Sequence, residues 1–161
     1  MLGRVTGGDA GGGTRAPPRP APPRSTYRGS VRVQYVEFGP EHRDVVVALC
    51  VAHGWPSLPA DPARAERALT APGVVTVVAV DGGAVVGFAT MLSDGEIQAY
   101  LSLLVVSEDR RREGIGRRLV QTAFARAGGL RVDVLAEDGS EDFYAAMPHR
   151  RMAGFRVYPD E

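Results

Sequence analysis

The residues best suited to chemistry stand together where an apolar strand meets a basic loop and then a helix. The segment reads Leu104-Val105-Val106-Ser107-Glu108-Asp109-Arg110-Arg111-Arg112-Glu113-Gly114-Ile115-Gly116. Backbone N–H groups in the first turn of a helix lack helical partners, and the helix dipole adds about half a positive charge there. Glycine removes the Cβ atoms that would keep an anion at a distance. The surrounding guanidinium groups belong to Arg111, Arg112, Arg117 and Arg118. The segment therefore predicts a site for a phosphorylated ligand, and a pyrophosphate fits it best.

The elements that must position this loop follow from hydrophobic periodicity and from turn residues. Strands are predicted over Val31–Val36, Val74–Val80, Ala84–Leu92, Glu96–Val106, Leu130–Ala136 and Phe155–Tyr158. Helices are predicted over Glu41–Trp55, Pro62–Thr70, Gly114–Ala127 and Glu141–Met147. This order predicts an α/β (α+β) protein with a mixed, mostly antiparallel central sheet flanked by helices.

The composition bounds the class of protein. Residues 1–29 are rich in Gly, Pro and Arg and predict a disordered tail, so residues 30–161 form the single expected domain. The formal net charge is +0, which favours neither nucleic acid nor a membrane surface as a partner. Cys50 is the single cysteine and the three histidines share no ligand spacing, so we expect no metal. Because no apolar run approaches the length of a membrane span or a secretory signal, we expect a cytoplasmic protein.

Taken together, this order of elements and the basic loop resemble the GCN5-related N-acetyltransferases, or GNAT family. Their motif, Arg/Gln-x-x-Gly-x-Gly/Ala after an apolar strand, stands here as Arg111-Arg112-Glu113-Gly114-Ile115-Gly116. The resemblance covers roughly residues 31–158 and implies a GNAT-like acyl-CoA N-acyltransferase fold. It also implies that acetyl-CoA is the donor and that an amine, on a small molecule or a peptide, is the acceptor. Homodimers are common in the family.

The resemblance assigns the donor site to two adjoining stretches. The pyrophosphate is expected on the amides of the glycine loop, and the pantetheine arm is expected to pair like a strand with the preceding backbone. The implied cofactor-binding residues are Leu104, Val105, Val106, Arg111, Arg112, Glu113, Gly114, Ile115, Gly116 and Arg117. Gly114 and Gly116 by themselves would also suit an ordinary strand-to-helix turn.

Candidate catalytic and substrate-binding residues come from the family resemblance and from the pattern of residues along the strands. The family places a tyrosine where Tyr144 stands, and its phenol can protonate the departing thiolate. Period-2 alternation predicts that Glu96, Gln98, Tyr100, Ser102, Leu104 and Val106 share one face of their strand, lining the acceptor cleft. Glu96 is therefore a candidate base or water-relay residue, and Tyr100 a substrate-contacting residue. Trp55 is a candidate for the acceptor-side wall. Removal of the amine proton by ordered water, with the oxyanion on the Leu104 amide, is the alternative to a discrete base.

Several features depart from the family or leave alternatives open. Glu137 stands where the family often has an asparagine that contacts CoA. A basic segment, Pro148-His149-Arg150-Arg151, makes the distance from Tyr144 to Gly154-Phe155 longer than is usual in the family. A non-catalytic acyl-CoA-binding sensor or regulatory module would share the same donor site. A P-loop nucleotide-binding protein is excluded because the chain contains no lysine.

Overall fold

Five strands form one sheet in the computed structural model, which describes residues 32–56, 58 and 60–158. They are β1 (Gln34–Glu37), β2 (Val74–Asp81), β3 (Ala84–Ser93), β4 (Gln98–Val106) and β5 (Arg131–Val134), hydrogen-bonded in that order. The first four are antiparallel neighbours, whereas β4 and β5 are parallel. The mixed, mostly antiparallel sheet expected from the sequence is therefore confirmed. The tail predicted over residues 1–29 and the strand start at Val31 lie outside the described residues.

Among the described residues, four α-helices flank the sheet, and their ends follow local rules. They are α1 (Arg43–Ala52), α2 (Pro62–Leu69), α3 (Ile115–Ala127) and α4 (Glu141–Ala145). Short 3-10 turns cover Pro40–His42 and Glu108–Arg110. At the start of α2, Oδ1 of Asp61 accepts the backbone N–H of Arg64 at 3.0 Å, as expected of an N-cap that precedes proline. In the portion of the chain covered here, no helix has the length and apolar character that crossing a membrane requires.

The sheet separates two apolar layers, because successive side chains of a strand point to opposite faces. Ala89 and Met91 of β3 are buried in the layer that contains Leu119 of α3. Phe88, which immediately precedes Ala89, is buried on the other face with Val46 of α1. The helix that follows the glycine loop is thus fixed to one face of the sheet, and α1 and α2 to the other.

A bulge in β4 overturns the predicted single polar face of that strand. Thr90 pairs with Leu103 whereas Met91 pairs with Leu101, so Ser102 is an extra residue on β4. A bulge of this kind reverses the alternation beyond it. Leu101 and Leu104 consequently pack on the α3 side, and Leu103 packs on the α1 side. The prediction that Leu104 and Val106 share a face with Tyr100 is wrong for this reason.

The predicted last strand is also absent from the structure. Residues 151–158 adopt neither strand nor helix, and Phe155 and Val157 are 84% and 75% exposed. Their alternating pattern satisfies the local requirement for a strand, but a strand also needs a partner that supplies packing. The sheet ends at β5, which is shorter than the predicted Leu130–Ala136.

Candidate functional site

The edge of β4 beside β5 is open along its second half. The parallel pairing runs from Gln98 with Arg131 to Leu101 with Val134, where β5 ends, while β4 continues beside β3 to Val106. The N–H of Ser107 donates to the carbonyl of Val86 across the β3 side at 2.9 Å. Alternation along the strand therefore directs the N–H and C=O groups of Leu104 and Val106 toward the open edge, and those of Val105 toward β3. An extended ligand could pair with this edge as an added strand would.

The glycine loop, residues 111–117, follows this open edge directly. Arg112 has a φ of 65° and Gly114 a φ of 82°, so two left-handed residues lie within three positions. A left-handed residue other than glycine costs about 1–2 kcal/mol, and such strain concentrates at binding sites. Backbone of this kind turns neighbouring N–H groups toward one side, where an anion can bind. Within the described chain, no side chain caps the start of α3.

The charges around the loop are mostly positive. In the described chain, Arg112, Arg117 and Arg118 are exposed and form no ion pair. The Arg111 guanidinium lies 3.6 Å from Oε1 of Glu108. Of the four arginines that the sequence assigned to an anion site, three therefore remain without an ion pair among the described residues.

Arg111 has a second partner that sequence reasoning missed. Its Nη2 lies 3.0 Å from Nε2 of His53, while Nδ1 of His53 lies 2.9 Å from the carbonyl oxygen of Leu49. Because a carbonyl can only accept, Nδ1 carries a hydrogen, and in the neutral ring Nε2 accepts from Arg111. His53 also lies beside Trp55, at 6.1 Å between ring centroids. Arg111 thus connects the glycine loop to the end of α1, across 58 residues of sequence.

Arg110 and two carboxylates form an ion-pair cluster beside the loop. Arg110 donates through Nε and Nη2 to the carboxylate of Glu113 at 3.0–3.1 Å, and through Nη1 to Oδ2 of Asp81 at 2.7 Å. These hydrogen bonds raise the pKa of Arg110 above its ordinary value, with Glu113 the larger cause. Asp81 ends β2 and is 29 residues from Arg110 in sequence, so local spacing does not predict the contact between them. Glu113, expected among the cofactor-binding residues, directs its carboxylate to Arg110.

Tyr144 lies on α4, beyond the end of β5. It is partly buried against the α3-side layer, with its ring edge-on to Phe143 at 5.0 Å. Burial is the main cause that raises the pKa of Tyr144 above its ordinary value, and Glu137 and Tyr100 raise it further. The phenol therefore keeps its proton at neutral pH. Tyr144 also lines a cavity of about 340 Å³ together with Val134, Arg150 and Met152.

The other predicted residues lie at different distances from this centre. Tyr100 is half-buried and pairs with Asp133 of β5, and it is close enough to Tyr144 to influence its pKa. Glu96 is exposed in the turn before β4, at the end of that strand opposite to the glycine loop. Trp55 is half-buried and follows α1. The structure therefore places Tyr100, in the paired part of β4, near enough to Tyr144 to affect its pKa, while Glu96 lies at the opposite end of β4 from the glycine loop.

A mixed sheet whose parallel pairing ends at Leu101, followed by an uncapped helix start, matches the fold of acyl-CoA N-acyltransferases. The Acetyltransferase (GNAT) family profile matches residues 38–147. The chain belongs to the GNAT acetyltransferase family. No curated protein sequence matches it significantly.

Solved structures share this fold. A putative acetyltransferase from Deinococcus radiodurans R1 is 27% identical, with a TM-score of 0.63 over 79% of this chain and 88% of its own. A GNAT family acetyltransferase from Streptococcus pneumoniae TIGR4 is 22% identical, with a TM-score of 0.64 over 81% of this chain and 100% of its own. An aminoglycoside N-acetyltransferase in complex with CoA is 17% identical, with a TM-score of 0.69 over 83% and 97%.

Proposed function

We propose that this protein is an acetyl-CoA-dependent N-acetyltransferase that transfers an acetyl group to a primary amine by direct attack in a ternary complex. The observation that carries the proposal is the continuity of the open β4 edge with the glycine loop. Leu104 and Val106 offer strand-like hydrogen bonds, and the uncapped start of α3 follows after Arg112 and Gly114. A ligand that fits must join an extended amide-containing arm to a diphosphate, and CoA has both parts.

The reaction then needs three functions: a hydrogen-bond donor to the oxyanion, an acid that protonates the thiolate, and removal of the amine proton. When bound, acetyl-CoA supplies the thioester; the amine nitrogen forms a bond to the carbonyl carbon, the C–S bond breaks, and sulfur leaves as thiolate. The Leu104 N–H is the proposed donor to the oxyanion. The Tyr144 hydroxyl gives its proton to the thiolate and regains one from water. Because Glu96 lies at the far end of β4, we assign removal of the amine proton to ordered water rather than to direct contact with that carboxylate.

The acceptor remains defined by its reacting group, an amine on a small molecule or a peptide. We propose that the acceptor amine approaches through the cavity beside Tyr144, because this cavity borders the residue that is proposed to protonate the thiolate. Holding both reactants there in line supplies much of the rate enhancement by itself.

The test combines binding and turnover. Calorimetry should show that the wild-type protein binds CoA, and a thiol reagent should detect CoA release with at least one amine of a broad panel. Tyr144→Phe should lower kcat about 100-fold with little change in CoA affinity. Cys50 will not confuse the assay, because burial shields its thiol and raises its pKa to about 11.

Tyr158→Phe is the matched control, since Tyr158 is 57% exposed on the unpaired C-terminal segment. It should leave kcat unchanged. Binding of CoA without thiol release for any amine would replace the proposal with a non-catalytic acyl-CoA sensor. Absence of CoA binding would contradict both.

A further inference from the structure

The start of α3 has a carboxylate next to it that does not cap it. Glu113 immediately precedes Gly114, the N-cap residue, and carboxylates near a helix start are stabilised by the free N–H groups and the helix dipole. Such a carboxylate would occupy the place where an anionic ligand binds. The Glu113 side chain is instead held by Arg110 through hydrogen bonds of 3.0–3.1 Å.

Arg110 is itself anchored to the sheet. Its guanidinium donates to Oδ2 of Asp81 at 2.7 Å, and the exposed fractions of the Arg110 and Asp81 side chains are 22% and 24%. Partial burial and shared hydrogen bonds keep such a guanidinium in one orientation better than an exposed pair would. The anchor also spans Arg112, the left-handed residue between Arg110 and Glu113.

We propose that Asp81 and Arg110 are positioning residues for donor binding: they hold the Glu113 carboxylate away from the start of α3, so that the backbone N–H groups there remain free for the diphosphate. This rests on the proposed function, since it takes CoA as the ligand. Neither residue contacts the ligand in this account; both act through Glu113 and the glycine loop.

A simple charge effect makes a different prediction. If Arg110 acted only by attracting an anion, its loss would weaken CoA binding by the same factor whether or not Glu113 is charged. Loss of the Asp81 charge would then tighten binding, because a negative charge leaves the neighbourhood. If the two residues act by positioning, loss of the Asp81 charge should instead weaken CoA binding. The effect of losing Arg110 should then depend on whether Glu113 is charged.

The decisive experiment is a double-mutant cycle on CoA affinity, measured by calorimetry. Arg110→Gln should weaken CoA binding about 10-fold or more in the wild-type background, but about threefold or less in the Glu113→Gln background. Asp81→Asn should weaken binding about threefold, and Arg110→Lys should also weaken it, because lysine keeps the charge but cannot hold both carboxylates. Glu66→Gln, which breaks the 3.1 Å bridge from Arg43 on the α1–α2 pair, is the matched control and should leave CoA affinity unchanged.

Amide hydrogen exchange of the free protein gives a second readout. In Arg110→Gln the released Glu113 carboxylate should cap α3, so exchange at residues 115–117 should become slower, whereas a general loss of structure would make it faster. Equal weakening in both Glu113 backgrounds, tighter binding by Asp81→Asn, or faster exchange at 115–117 would each overturn the inference. If wild-type protein bound no CoA, the proposed function itself would fail, and that result differs from a wild-type protein that binds CoA and an additive cycle.

Discussion

Three consecutive arginines show how far position decides the role of a residue. Arg110 is committed to Glu113 and Asp81, Arg111 contacts His53, and Arg112 is exposed with left-handed backbone. Sequence reasoning assigned Arg111 and Arg112 to the anion site and could not separate their roles from that of Arg110. Asp81, a partner of Arg110, and His53, a partner of Arg111, lie 29 and 58 residues away, so residue type and local spacing carry no information about these contacts.

A single carboxylate organises the turn into β4. Oδ1 of Asp94 accepts the backbone N–H groups of Glu96, Ile97 and Gln98 at 2.8–3.0 Å. These bonds, with that from Ile97 the largest cause, lower the pKa of Asp94 below its ordinary value. The contribution of Asp94 to stability is therefore present above the unfolded-state pKa of about 3.9 and is lost as pH falls through the lower folded-state pKa.

Asp94→Asn should accordingly lower Tm at pH 7, and the difference from wild type should shrink steadily on acidification below pH 4. Thermal unfolding followed by circular dichroism at both pH values measures this. Asp138→Asn is a suitable control, because Asp138 is exposed and forms no side-chain hydrogen bond in the described chain. A Tm difference that is the same at pH 7 and pH 3 would show that the carboxylate charge is not involved.

At the scale of elements, the sequence predicts what local chemistry controls. The local sequence Asp81-Gly82-Gly83 forms a tight hairpin between β2 and β3, with φ of 58° and 89° at the two glycines, and Asp61 caps α2. The bulge at Ser102 and the end of β5 at Val134 depend on the register of neighbouring strands, which no single segment encodes. The motif alone therefore predicts an anion site at the glycine loop. That the β4 edge is open at Leu104 and Val106 follows only from the pairing of the strands in the sheet.

The left-handed backbone of the loop can be tested by comparing two substitutions at one position. Arg112→Gly and Arg112→Ala both remove the guanidinium, but only alanine pays the steric cost of a φ of 65°. The glycine variant should be more stable by about 0.5–1 kcal/mol. Denaturant unfolding without ligand measures the difference.

The same pair of substitutions at Gln121 provides the control. Gln121 is exposed within α3, where alanine should be the more stable variant by about 1 kcal/mol. The sign of the glycine–alanine difference should thus reverse between the two positions. An alanine advantage at Arg112 would mean that the loop is not left-handed in solution.

At the scale of the molecule, stability is concentrated in the two layers on either side of the sheet. Leu119 and Met91 are fully buried in one layer, and Phe88 and Val46 in the other. The proposed donor site lies at the start of α3, whose buried face belongs to the first layer, so the core fixes the direction in which the glycine loop presents its N–H groups. The C-terminal segment, in contrast, exposes large apolar side chains and adds nothing to either layer.

This uneven distribution predicts very different costs for two large apolar residues. Leu119 is 0% exposed, so Leu119→Ala should lower the free energy of unfolding by about 2–5 kcal/mol. Phe155 is 84% exposed, so Phe155→Ser should change it by less than about 0.5 kcal/mol. Urea unfolding curves of the wild type, Leu119→Ala and Phe155→Ser, recorded at the same protein concentration, measure the two differences. A cost at Phe155 close to that at Leu119 would show that the Phe155 side chain packs against the domain in solution, as the predicted last strand would require.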